Sequence, residues 1–278
     1  MKSFLLALCL FSPGALACDN SHLALAGAAS ADACSAKSAN CIYAAEALYE
    51  YTKAVPDSDS LLTIALHSCP WRMYDDEMRI LTVEDLVQMV RPKLGGKLQR
   101  IELIASWTGV SPAPGVPSLA ERVSKALDGF PVRGEDGFLW LAKNGSRRTT
   151  RQAFTVREGA GSYFLPKGSE VLVSLVTGWP AYVEDQIPAD DADLLMRAAA
   201  GWDVFFLCPD KALAGFERAA KQGSAIAAYN AALMRLERNA NGDRTAAIAL
   251  LERGVALDDA KSRTRLDVER VGKAPTSR

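Results

Sequence analysis

Two histidines, His22 and His67, are all the imidazole the chain has. His67 is the better placed for chemistry, because it closes the apolar part of SLLTIALHSCPW at residues 60–71, whereas His22 lies in a polar stretch. A histidine at the end of a buried strand can serve as a general base toward a nucleophile presented by a neighbouring strand. The next short apolar run, at residues 101–105, leads into Ser106, Trp107, Thr108 and Gly109. Ser106 is therefore the candidate nucleophile, and Cys69, two residues from the histidine, is the alternative. A serine nucleophile needs a base that is itself oriented by a third group, and the sequence names no third member. The competing expectation, which the residues favour, is that His67 caps its strand against a loop and Ser106 merely ends the neighbouring one.

For His67 and Ser106 to meet, two parallel strands must finish at one edge of a sheet, the edge where open α/β folds bind ligands. The intervening residues supply the crossover. Thr82 with Asp85 resembles a capping box for a helix displaying Leu86, Val87 and Val90, closed near Pro92 and Gly95-Gly96. Ser118 with Glu121 opens a second helix, with Leu119, Val123, Ala126 and Leu127 on its apolar face and Gly129 at its end. This alternation predicts an α/β domain with a parallel sheet. GFLWLA and RQAFTV then flank Asn144-Gly145, a tight-turn signal for an added hairpin, and residues 170–176 read as one more strand. Before all of these, Ile42, Ala45, Leu48, Tyr49 and Thr52 recur at helical spacing up to Pro56.

The first seventeen residues, MKSFLLALCLFSPGALA, combine Lys2, a short apolar run and small residues before Cys18, the pattern of an export signal. Cys18 also stands where a lipoprotein carries its lipid, although Ala15 replaces the leucine usual in that motif. A soluble periplasmic product is the first expectation and a lipid anchor at Cys18 the second. The apolar run is too short to span a bilayer, which takes roughly 20 residues. Cleavage leaves Cys18, Cys34, Cys41, Cys69 and Cys208 in an oxidising compartment. Cys69 and Cys208 each precede a proline at the end of an apolar run and are plausible partners; Cys34 would then pair with Cys41, with the connectivity left open by sequence. No Cys-x-x-Cys pair and almost no histidine argue against a metal site, and nothing implies a cofactor.

Lys plus Arg (32) and Asp plus Glu (33) nearly cancel, so no global field points to nucleic acid or an anionic membrane. Another protein is the better partner. Arg147, Arg148 and Arg151 follow the hairpin turn and form a basic spot, either a solvated loop or a contact for an acidic partner. The acidic groups Asp75-Asp76-Glu77 and Asp190-Asp191 read as solvated loops or helix starts. GAGSYF at residues 159–164 lacks the following helix that a phosphate-binding loop requires.

From Ala189 the chain reads as helical. KALAGFERAAKQG from Lys211 and TAAIALLERGVAL from Thr245 repeat at a 34-residue spacing, with Ala212 over Ala246 and Phe216 over Leu250. AAYNAALMRLERNANGD supplies the helix between them. This pattern, over about residues 205–260, is similar to Sel1-like and tetratricopeptide repeats, with one and a half units visible. The organisation expected is a signal at 1–17, a loose leader at 18–37, an α/β domain at 38–186, a helical region at 187–262 and a flexible tail at 263–278.

The order of elements around His67 and Ser106 resembles the caspase-like cysteine peptidases, in which one strand presents histidine and the next a nucleophile followed by a small hydroxyl residue and glycine. Ser106 stands where that family has cysteine, and Ser68 where it has glycine. The resemblance implies a degenerate caspase-like fold, or a peptidase or esterase using His67 with Ser106 or Cys69. The repeat resemblance implies an adaptor for another protein. Exported proteins with Sel1-like repeats include immunity proteins that neutralise periplasm-directed type VI secretion effectors, and this architecture points to that class.

Overall fold

The computed structural model describes residues 58–141, 147–150, 155–156, 163–164 and 187–271. Cys18, Cys34, Cys41 and Arg151 lie outside them, as do the helix expected at 42–52 and the strand expected at 170–176.

Strands β1 (Leu61–Ala65), β5 (Arg100–Ile104) and β6 (Val132–Arg133) form a parallel sheet in the order β1-β5-β6. Helices α1 (Val83–Val90) and α2 (Leu119–Ala126) lie in the β1-to-β5 and β5-to-β6 connections. Both begin with the capping boxes read from the sequence, Thr82 with Asp85 and Ser118 with Glu121. Their apolar stripes, Val83, Leu86 and Val90 on one and Leu119, Ala120 and Val123 on the other, are buried with Ile64, Ile101 and Leu103 of the sheet.

The first strand does not run on to His67. It ends at Ala65; Leu66 still donates to the Ile104 carbonyl at 3.3 Å, and the chain then leaves the parallel sheet. His67 and Ser68 form β2 of a separate antiparallel sheet with β3 (Met73–Tyr74) and β4 (Ile80–Leu81). The tight turn that reverses the chain is closed by Cys69 N–H donating to the Arg72 carbonyl at 3.0 Å, with Pro70 inside it. The expected hairpin forms, but β7 (Phe138–Leu141) pairs with β8 (Arg147–Thr150), not with RQAFTV. Thr155–Val156 of that stretch is β9, which pairs with β10 (Tyr163–Phe164).

Five helices follow among the described residues: α3 (Ala192–Val204), α4 (Pro209–Lys221), α5 (Ala225–Arg238), α6 (Asp243–Ala256) and α7 (Ala260–Val271). Helices α4 and α6 start at Pro209 and Asp243, 34 residues apart, and α3, α5 and α7 start at Ala192, Ala225 and Ala260, so the periodicity extends beyond the stretch where the sequence displays it. Small residues set the close crossings. A Cβ on Gly215 would lie 2.8 Å from Ala199 Cβ, and one on Gly254 only 2.2 Å from Ser262 Oγ. The tail expected to be flexible from 263 is instead helical to Val271, because Ser262, Leu266 and Glu269 give α7 one buried face and Asp259 Oδ2 accepts the Ser262 N–H at 2.8 Å.

The helices do not stand apart from the α/β part. Their core runs from Leu195, Trp202, Phe216 and Tyr229 into Tyr74, Met78, Ile80 and Phe138 of the strands. No helix among the described residues is long and apolar enough to cross a membrane.

Candidate functional site

Continuing the β1–β5 register of Ala65 opposite Ile104 by two residues would set His67 opposite Ser106. The departure of the chain at Leu66 prevents that pairing, and His67 pairs with Tyr74 instead. Ser106 is occupied in structural bonds: its Oγ accepts the Leu139 N–H at 3.0 Å, and its carbonyl accepts the Ser68 hydroxyl at 2.6 Å. His67 Nε2 is buried with no hydrogen-bond partner among the described residues, Ser106 Oγ included. The ring meets Phe205 edge-on at 6.3 Å. Burial lowers its pKa to about 4, leaving a neutral imidazole at neutral pH.

Cys69 is a free thiol, fully buried, and is not joined to Cys208. Cys208 is itself disulfide-bonded, with a partner outside the described residues, since Cys69 is the one other described cysteine. The pairing expected from the flanking prolines therefore does not form. What holds Cys69 instead is Asp203 on α3, whose Oδ2 accepts the Sγ–H at 3.1 Å. The same carboxylate accepts Arg72 Nε at 3.0 Å, Arg72 Nη2 at 2.9 Å and the Tyr74 hydroxyl at 2.6 Å. Arg72 Nη1 donates onward to Glu237 on α5. Burial first, and the Asp203 charge second, push the Cys69 thiol and the Tyr74 phenol well up, so both remain protonated donors. A thiol held this way is a poor nucleophile.

This cluster joins the turn after β2 to two helices more than a hundred residues away. Sequence reading missed Asp203 and Arg72. The available signal was a lone carboxylate in the apolar run AAAGWDVFFL, which must find a cation or remain uncompensated. A second clip lies nearby: buried Asn230 on α5 accepts the Ile80 N–H and donates to the Met78 carbonyl, both at 2.8 Å. Arg79, in the same β3–β4 turn, pairs with Asp259 at 2.9 Å and lies over the Tyr229 ring at 5.3 Å.

Next to the Arg72 cluster, the two parts of the molecule frame an open groove of about 310 Å³. Trp71, Leu81, Leu119, Leu233 and Leu236 give it an apolar lining, and Arg72, Glu84, Arg122, Glu237 and Arg265 add charge.

The basic spot after the hairpin is not free for a partner at Arg147, which pairs with Glu102 at 2.8 Å and Glu135 at 3.1 Å. Burial works against the Glu102 carboxylate, yet the Arg147 hydrogen bond and charge hold it below its ordinary value. Arg148 lies on β8 opposite Trp140. Asp75 is likewise structural: its Oδ1 accepts the Glu77 and Arg79 N–H groups at 3.1 and 2.8 Å. No cluster of three or more His, Cys, Asp or Glu able to hold a metal ion occurs among the described residues.

Residues 37–149, which include the parallel sheet and the β2–β4 sheet, match the model of a family described as Domain of unknown function (DUF8616). No curated protein and no solved structure matches the chain.

Proposed function

We propose that the chain is an exported, periplasmic protein-binding protein, of the kind that holds a secreted toxin inactive, as immunity proteins against periplasm-directed type VI effectors do. The observation that carries this reading is the contrast between closed and open parts. Ser106 and Cys69 are engaged in structural hydrogen bonds and His67 is desolvated, whereas the groove between the α/β part and the helices is open, part apolar and part charged. A part-apolar lining with fixed charges suits a protein side chain and its flanking backbone. The Ala-rich helical repeat, which resembles adaptor modules, and the export signal at residues 1–17 support the same reading. A degenerate caspase-like domain that has kept its surface is compatible with it.

The test is recovery of the tagged full chain from fractionated cells, identification of any bound protein, and reconstitution of the complex from the two purified components. The reading expects periplasmic recovery, a stoichiometric complex, and protection of cells exposed to that partner when it is a toxin. Recovery from the cytoplasm, or purified components that do not associate, contradicts it.

A further inference from the structure

Of the charged side chains lining the groove, Arg122 and Glu84 have no partner of opposite charge among the described residues. Arg72 is paired with Asp203 and Glu237. Arg265 pairs with Glu269 at 2.8 Å. Glu84 sits in the first turn of α1, where the helix dipole favours negative charge. Arg122 lies in the middle of α2, and its described contact is a long one, Nη1 to the Trp71 carbonyl at 3.4 Å. No carboxylate among the described residues pairs with it. Its guanidinium borders an apolar floor formed by buried Leu81, Leu119 and Leu233.

We infer that this groove takes a segment of the partner protein in which an apolar side chain is flanked by a carboxylate, and that Arg122 is the group that recognises the carboxylate. The inference rests on the protein-binding reading above and names its site. The volume of about 310 Å³ lies at the lower end of the roughly 300–1,000 Å³ typical of small-molecule pockets, so it suits one large side chain better than a cofactor. A guanidinium that brings no carboxylate of its own leaves its paired donors for an incoming one, in the bidentate geometry arginine favours. Half-buried Trp71 and Leu236 then supply the apolar contact area and Arg122 the selectivity.

The experiment pans a random-peptide phage library on the full-length protein, then measures the affinity of the enriched peptides for the parent, Arg122→Ala and Arg122→Glu proteins. Urea midpoints of the variants establish that they fold. The expected result is enrichment of sequences with an apolar residue beside Asp or Glu, binding weakened roughly tenfold or more by Arg122→Ala, and a switch to basic flanks when Arg122→Glu is panned. Enriched peptides without acidic preference, unchanged affinity in the variants, or an empty selection would each overturn it. A whole partner protein that binds parent and Arg122→Glu equally well overturns the groove assignment and leaves the protein-binding reading standing. Failure of any partner to associate removes both.

Discussion

Arg72 and Asp203 are separated by 131 residues and meet as a buried two-pronged ion pair, Nε to Oδ2 at 3.0 Å and Nη2 to Oδ1 at 2.9 Å. The pair fixes the turn after β2 against α3, and through Glu237 against α5. Removing one partner leaves the other charged and desolvated, which costs roughly 3–5 kcal/mol. Asp203→Asn and Arg72→Met should each lower stability by about that amount in urea unfolding. The double variant Arg72→Met with Asp203→Leu should recover part of it, because no buried charge is left uncompensated, while the Tyr74 hydroxyl and the Cys69 thiol lose their acceptor.

Two desolvated groups give opposite pH dependences. The folded pKa of His67 is depressed from 6.5 to about 4, so its contribution is present above pH 6.5 and is lost as pH falls toward about 4. The folded pKa of Asp75 is raised by burial from 3.8 to about 6, so its contribution is present below 3.8 and is lost as pH rises through about 6. Each shift corresponds to up to about 3 kcal/mol. His67→Gln should therefore make the protein less sensitive to acid than the parent, and Asp75→Asn should flatten the decline between mildly acid and neutral pH. Urea midpoints measured across that range check both, and parallel curves for parent and variants would contradict them.

Asn230 satisfies two backbone groups of the β3–β4 turn from a fully buried position. Asn230→Leu leaves the Ile80 N–H and the Met78 carbonyl without this partner, at about 1–3 kcal/mol for each group left unsatisfied. The loss should appear as lower thermal stability and as faster amide exchange at Ile80.

Cys69 and Ser106 should be silent toward chemical probes in the folded protein. A thiol reagent should label Cys69 only after unfolding, and a serine-directed fluorophosphonate should leave Ser106 unmodified. Labelling of either under native conditions, abolished by His67→Ala, would restore the hydrolase alternative.

The parts of the fold that local chemistry determines were legible in the sequence. Thr82 with Asp85 and Ser118 with Glu121 cap α1 and α2 as their spacing requires, and the expected hairpin forms with Arg147–Thr150 in the place read for RQAFTV. The 34-residue spacing was visible in α4 and α6 because Ala and Leu positions recur there. It was hidden in α7, whose buried face consists of Ser262, Leu266 and Glu269 and carries almost no apolar periodicity. Pro70 marks the reversal, but the apolar run continues to Leu66 and nothing in it shows that the strand leaves the parallel sheet after Ala65. That turn is held by Asp203, a partner more than a hundred residues away, and single-sequence periodicity does not report such contacts. The same distance explains why Cys69 read as a disulfide half, since its partner Asp203 comes from an element the pattern does not connect to it.

We propose that this protein binds another protein through the groove between its α/β part and its helices. A photoreactive amino acid placed at Glu84, on the exposed rim of that groove, and in a second variant at Lys97, an exposed residue outside the groove lining, tests it in intact cells. The expected result is a covalent adduct with another protein from position 84 and none from position 97. No adduct from position 84, or equal adducts from both, would contradict it.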